Sequence, residues 1–389
     1  MAPSRTAATV GYYTAAITLG LGTAVVGPAL DALARRTEAS IGDIGIVFST
    51  TAIGYLFGAL QSGRWFDRLP GHRVLAVALA VLGAAFAIVP ASASLVALAA
   101  AFALIGAATA AIDVGTNTLL LWSYRTHVAR AMNGLHFCFG VGALVAPTIV
   151  AASLSATNDI TMAFVVLGAT TLLVAFAFTR LRAAPTPPHV TDSAAVRETP
   201  TQRRLTVLIA AVLAFYVAAE VTYGGWISTY AFELEFGDAA ETALLASLFW
   251  GLLTVGRLLC IPLTGRTRAS TVIAICFAGA FACVIAIALL PPSRAALWVA
   301  TGAFGLCLAP IFPMTLVYSN ELLPASGRRT SLFIAASGIG SMTLPWVTGH
   351  AFAAYGPTSL LWLEAVTVAF GGAALAFALR TGGHTISST

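Results

Sequence analysis

The segment AFALIGAATAAIDVGTNTLLLW, residues 101–122, carries one charged residue, Asp113, inside a run apolar and long enough to cross a bilayer. A crossing takes about 20 such residues. Residues 207–230, VLIAAVLAFYVAAEVTYGGWISTY, repeat the arrangement with Glu220. A carboxylate in hydrocarbon costs a few kcal/mol or more unless it faces a polar cavity or a partner, so intramembrane acids mark ion or substrate pathways by default. The alternative is that each acid is a hydrogen-bonding residue between helices.

The rest of the chain has the same character. Of its 389 residues 59% are hydrophobic and only 9% charged, and the mean hydropathy is +0.90. Soluble domains carry about 25% charged residues, so this is an all-α polytopic membrane protein. Every basic residue is Arg, and the formal charge of +5 sits at the ends of apolar segments. It is therefore no footprint for nucleic acid, and lipid is the expected surrounding. Without Lys the chain cannot form a P-loop, which excludes ATP-driven transport by this chain alone. The five cysteines fall in apolar segments without metal-ligand spacing and read as small core residues. MAPSRTAATV runs directly into the first span, so no cleavable leader is expected.

Hydropathy predicts twelve transmembrane helices near 9–32, 43–63, 73–91, 95–122, 131–153, 161–181, 205–232, 240–263, 269–290, 295–319, 328–352 and 357–380. They group as two pseudo-symmetric six-helix bundles, 1–182 and 205–389. The joining stretch, 183–204, is rich in Pro, Thr and charge and is expected to be a cytoplasmic linker. With the N-terminus inside, Arg64, Arg68, Arg73, Arg125, Arg130, Arg180, Arg182, Arg203, Arg204, Arg266, Arg268, Arg328, Arg329 and Arg380 fall on the cytoplasmic side, and Arg35, Arg36 and Arg294 on the other. The positive-inside rule then puts both termini in the cytoplasm, in a bacterial-type plasma membrane.

The halves repeat. Gly140-Val141-Gly142 precedes Pro147 as Gly338-Ile339-Gly340 precedes Pro345, and Arg130 and Arg329 open the two helices. A duplicated bundle places a substrate cavity between the halves near the midplane. The glycines read as packing residues that let helices approach closely.

The connection Gly63-Arg64-Trp65-Phe66-Asp67-Arg68-Leu69-Pro70-Gly71-His72-Arg73 resembles the G-x-x-x-D-R-x-G-R-R signature of the major facilitator superfamily, offset by one residue at Pro70-Gly71. The resemblance implies that Asp67 and Arg68 form a conformational latch. Asp113-Val114-Gly115-Thr116-Asn117, Asn133-Gly134-Leu135-His136-Phe137, Glu220-Val221-Thr222-Tyr223-Gly224-Gly225-Trp226, Phe312-Pro313 and Leu344-Pro345-Trp346 are similar to its sodium-dependent glucose transporter-like and fucose-permease-like branch. That implies ion-coupled symport of a sugar or related small polar solute by a functional monomer. Fucose permease also has an acid in its first helix. Here that helix offers only Tyr12, Tyr13, Thr14 and Thr18, so its proton relay does not carry over whole.

The residues themselves permit such a site. Asp113 and Asn117 share a helix face at a spacing of four, and Asn133 and His136 share one at three. A carboxylate, two amides and an imidazole would suit hydroxyls that both donate and accept. Asn133 is otherwise a helix cap, and His136 a satisfied core residue. Tyr223 and Trp226 lie near Glu220 and could stack on a sugar ring, or belong to an interfacial aromatic belt. Gly224-Gly225 would let this helix bend. Arg257 either snorkels or pairs with an acid across the bundle, and Glu364 is expected at the outer interface. Coupling falls to Asp113 and Glu220 with H⁺, or to Na⁺ at Asp113 and Asn117, since hard cations take oxygen ligands. No cofactor is implied.

The leading expectation is therefore sugar symport with alternating access. The alternative is a proton-coupled drug or metabolite efflux antiporter, which a mainly aromatic and aliphatic cavity would favour. A sensor would need a signalling appendage, and no nucleophile, base and orienting group of an enzyme can be picked out.

Overall fold

A computed structural model describes residues 5–124, 129–181, 184–185, 199–260, 266–323 and 327–386. Nearly all of them are helical: α1 (Arg5–Ala24), α2 (Val26–Arg36), α3 (Ile41–Ile44), α4 (Ile46–Arg68), α5 (Gly71–Ile88), α6 (Leu95–Tyr124), α7 (Ala129–Thr157), α8 (Thr161–Arg180), α9 (Pro200–Glu233), α10 (Ala239–Cys260), α11 (Ala269–Leu289), α12 (Arg294–Leu308), α13 (Ile311–Leu322), α14 (Gly327–Tyr355) and α15 (Ser359–Ile386). Among the described residues, ten stretches are long and apolar enough to span a membrane, and α1 with α2 makes an eleventh, bent by 49°. α14 has 29 residues and, at ~1.5 Å per residue, also exceeds a ~30 Å hydrocarbon core. The twelve expected spans therefore all have helical counterparts.

Three of those spans are interrupted where single helices were expected, the second of them at Gly45 between α3 and α4. The first breaks at Val25, between α1 and α2. The tenth breaks between α12 and α13, where Pro310 removes a backbone donor. The signature connection is also more helical than a loop: α4 runs through Asp67 to Arg68, Leu69 is extended before Pro70, and Gly71 opens α5. The side chain of Asp67 and most of the linker, residues 186–198, lie outside the described ones.

The chain divides into two compact units, residues 1–190 with 225–251, and 191–224 with 252–389. The division passes between Gly224 and Gly225 in α9, which runs on as one helix through both.

In the first unit α4 packs along α6, α1 along α7, and α5 against α6 and α8. The α4–α6 contact is close enough that only glycine fits. A Cβ on Gly54 would lie 2.0 Å from the Ala103 carbonyl oxygen, and one on Gly106 1.9 Å from that of Thr51. This small-residue packing is what helices use in lipid, where apolar burial supplies no driving force. It fixes the depth of Tyr55 relative to Asp113. At the far end of α2, Arg36 Nη2 meets Asp159 Oδ2 at 2.5 Å and Thr161 Oγ1 at 3.2 Å, and Arg36 also donates to the Pro90 carbonyl. Asp238 caps α10, its Oδ1 accepting from the backbone N–H of Ala240 and Glu241 at 2.9 and 2.8 Å.

In the second unit α11 packs against α12, α13 and α15, and α14 against α15. The repeat is visible in the contacts of its glycines. A Cβ on Gly142 of α7 would lie 2.0 Å from the Ile17 carbonyl oxygen of α1. One on Gly340 of α14 would lie 2.3 Å from that of Ala214 in α9. Corresponding helices thus meet backbone to backbone within each unit. Gly338 meets nothing within 4 Å, so of that pair only Gly340 is a packing glycine.

Candidate functional site

Asp113 lies deep in α6, and the close α4–α6 contact brings Tyr55 to it. The Tyr55 hydroxyl donates to Asp113 Oδ2 at 2.5 Å, and Asn117 Nδ2 donates to Oδ1 at 2.8 Å and to the Asp113 carbonyl at 2.9 Å. His136 of α7 is near enough to interact electrostatically with Asp113. The carboxylate accepts two bonds here and has capacity for about four. Asn117 keeps its Oδ1 as an acceptor. The cluster could therefore receive a hydroxyl or a cation without first being taken apart.

Of the residues expected to line one volume, Asp113 and Asn117 are hydrogen-bonded to each other. Asn133 lies on α7 with His136, and both side chains are exposed. α7 begins at Ala129, so Asn133 is inside the helix and is not its cap. Tyr55 was not singled out in the sequence. Only its position beside Gly54, in a helix otherwise apolar there, could have suggested it.

In the second unit Glu220 is buried, at 8% exposure, and Arg257 reaches it from α10. Arg257 Nη2 donates to Glu220 Oε1 at 2.8 Å and to the Tyr216 hydroxyl at 3.2 Å. The Phe312 ring lies 6.0 Å from the Tyr216 ring. Arg257 therefore pairs with an acid rather than only snorkelling. Tyr223 does not join this group: it is fully buried, with its hydroxyl 2.9 Å from Thr301 Oγ1 and its ring 4.4 Å from Phe304. Trp226, within the first unit, is also fully buried and lies 6.0 Å from the Phe48 ring. That burial does not suit an interfacial belt. Glu364 differs from its expected place too, being fully buried in α15.

Outside the apolar segments, Arg36 and Asp159 form a partly exposed pair. Hydrogen bonds from Thr161, helped by Arg36, hold the Asp159 carboxyl below the usual carboxylate range. Two concavities of about 520 and 410 Å³ lie at helix ends, by Thr199–Leu208 and by Leu154–Asn158 with Asp238–Ala240, and contain no residue of the Asp113 or Glu220 clusters. Among the described residues no group of three or more His, Cys, Asp or Glu could hold a metal ion.

Apolar helices of spanning length, with acids buried among them in hydrogen-bonded and ion-paired clusters, define an integral membrane protein of the transporter class. The family profile described as Major Facilitator Superfamily matches residues 12–326, and the chain belongs to that family. It is not an enzyme. Sodium-dependent glucose transporter 1A of Mus musculus is 26% identical over 373 residues, covering 87% of this chain and 88% of its own. Sodium-dependent glucose transporter 1 of Homo sapiens is 25% identical over 366 residues, covering 85% and 71%. Among solved structures, that of a D-xylose-proton symporter superposes with a TM-score of 0.76 over 96% of this chain and 97% of its own, at 14% identity. At that identity the likeness is one of fold.

Proposed function

We propose that the chain is a secondary active transporter that takes up a sugar or sugar-like polar metabolite by ion-coupled symport. The observation that carries the reading is the Asp113 cluster, in which Tyr55 and Asn117 each donate to a carboxylate placed deep in a span. Hydroxyl-rich solutes need donors and acceptors together, and this group offers both. The names of the relatives, sodium-dependent glucose transporters, and of the structural neighbour, a proton symporter of D-xylose, support a sugar and either Na⁺ or H⁺ as the coupling ion.

In this reading Asp113 is the coupling carboxylate and Asn117, Asn133 and His136 contact the solute. Na⁺, if it is the ion, sits at Asp113 and Asn117. The Glu220–Arg257 pair exchanges partners as the solute or ion arrives. Tyr223 and Trp226 position helix α9 rather than touch the sugar, because both are fully buried. Residues 1–182 and 205–389 act as two halves that rock about the linker 183–204, latched by Asp67 and Arg68, with both termini cytoplasmic. The unit works as a monomer.

The test is uptake of radiolabelled sugars into proteoliposomes under a pH gradient and, separately, a Na⁺ gradient. Accumulation under one gradient establishes symport and names the ion. No accumulation of any sugar under either overturns the reading in favour of export.

A further inference from the structure

Asp113, Glu220 and Glu364 lie within apolar helices, and their surroundings differ in kind. Asp113 receives donors from Tyr55 and Asn117, and Glu220 receives Arg257. Glu364, in Leu360-Leu361-Trp362-Leu363-Glu364-Ala365-Val366 early in α15, receives nothing. It has 0% exposure, and neither of its oxygens has a hydrogen-bond partner among the described residues.

Among the described residues, the helices packed on α15 place no counter-charge beside it. α11 has no acid or base other than Cys276 and Cys283. In α14, Arg328 and Arg329 lie at the opposite end of the helix, while the exposed His350 lies beside the Trp346 carbonyl. α9, which meets α15 through Phe215 and Phe370, has its nearby ionisable groups engaged: Tyr216 and Glu220 with Arg257, and Tyr223 with Thr301.

Protein burial alone, before any lipid is considered, thus removes water from Glu364. An isolated ionised carboxylate in that position costs several kcal/mol even after relaxation. A neutral carboxylic acid costs only an unmade hydrogen bond, roughly 1–3 kcal/mol. A metal cation would need several oxygen ligands at once, and among the described residues no group of three or more His, Cys, Asp or Glu supplies such a set. A proton needs only the one carboxyl.

We propose that Glu364 is a proton-binding site within the second unit. Its O–H bond is intact in the conformation described. When rearrangement of α15 against α11 and α14 admits water, that bond breaks, the proton passes to water as hydronium, and the carboxylate left behind is hydrated. Binding and release are then tied to conformation. This extends the ion-coupled reading above by naming a proton, but the site itself does not depend on which solute moves.

The experiment is infrared spectroscopy of the full-length protein in lipid at neutral pH, with no solute added, so that no uptake result enters it. The expected spectrum has a protonated-carboxyl C=O band that shifts when isotope-labelled glutamate is incorporated. The band is lost in Glu364→Gln and kept in Glu220→Gln. Should Glu364→Gln not fold, Glu364→Asp in glutamate-labelled protein must convert the band to one the label does not shift. A wild-type spectrum without a glutamate-sensitive band overturns the proposal, as does a band that survives these changes at Glu364 unaltered.

Discussion

Arg257 Nη2 lies 2.8 Å from Glu220 Oε1, joining the charged end of α10 to the buried acid of α9. Glu220 is about one-tenth exposed at its side chain and Arg257 one-quarter. A pair so placed adds little net stability, but breaking it strands a buried charge, which costs about 3–5 kcal/mol when burial is complete. The partial exposure of Arg257 lowers the expected loss for Arg257→Ala to about 2–3 kcal/mol. Arg257→Gln with Glu220→Gln should restore part of it, because no charge is then left alone. A double-mutant cycle on thermal unfolding in detergent reads the coupling. Strict additivity would mean that the two side chains do not depend on each other.

Tyr55→Phe removes one of the two donors to Asp113 and leaves the ring. Interhelical hydrogen bonds in membranes average about 0.6 kcal/mol, with a maximum near 1.7, so the fold should hold and Tm change by only a few degrees. Because the lost bond is to a carboxylate, the functional cost should be larger. We expect the apparent KM for the coupling ion to rise by about 3- to 10-fold with little change in sugar-independent stability. Unchanged ion dependence would exclude Tyr55 from the site.

Asp113 and Glu220 stand out in the sequence because charge is scarce in spans, and Asn117 follows from its spacing of four. Their partners do not. Tyr55 is 58 residues from Asp113 and Arg257 37 from Glu220, and both meetings depend on how helices pack sideways, which hydropathy does not encode. The fold was more legible, since the length of apolar runs is set by bilayer thickness. Two of its details were hidden. A single bend at Val25 leaves the hydropathy of α1 and α2 unchanged, and the burial of Glu364 depends on neighbours supplied by other helices. The Gly-x-Gly repeat was visible, but only the contacts distinguish Gly340 from Gly338.

The glycines of the first unit give a controlled comparison. A Cβ at Gly106 would meet the Thr51 carbonyl oxygen at 1.9 Å, and one at Gly63 would meet nothing within 4 Å. Overpacking costs typically 1–3 kcal/mol, and a backbone atom cannot rotate aside. Gly106→Ala should therefore lower Tm and reduce folded yield. Gly63→Ala should be neutral or slightly stabilising, since alanine is the better helix former by up to about 1 kcal/mol. Equal effects at the two positions would contradict the close α4–α6 contact.

Acid should weaken the Arg36–Asp159 tie. Hydrogen bonds from Thr161, with Arg36 beside them, hold the folded Asp159 carboxyl below its ordinary value. The unfolded chain therefore takes up this proton first as pH falls. The stabilisation is complete above the ordinary Asp value of about 3.9 and is lost as pH drops through the lower folded value. With Asp159 42% exposed, it amounts to less than about 1 kcal/mol. Asp159→Asn should lower the neutral side of a Tm-against-pH curve by that amount and leave its acid end nearly unchanged, so that the acid limb flattens. A steeper acid limb in the variant would reverse the sign and refute this account.

Asp113→Asn separates the two coupling ions. The amide keeps an acceptor but cannot carry charge, so it imitates a carboxyl that never releases its proton. If the ion is H⁺, the variant should lose accumulation under a pH gradient yet still exchange labelled sugar across the membrane, with a rate now flat in pH. If the ion is Na⁺, the loss of the one formal charge in the Asp113–Asn117 pair should raise the Na⁺ requirement by at least tenfold, since a tenfold change corresponds to only about 1.4 kcal/mol. Exchange should then weaken with accumulation, because the cation no longer helps to order the site. Asn117→Ala sharpens the distinction: it removes an oxygen ligand and should impair Na⁺ coupling strongly, but proton coupling only through the lost 2.8 Å bond to Asp113. Concentrative uptake at the wild-type level in Asp113→Asn would remove this carboxylate from the mechanism altogether.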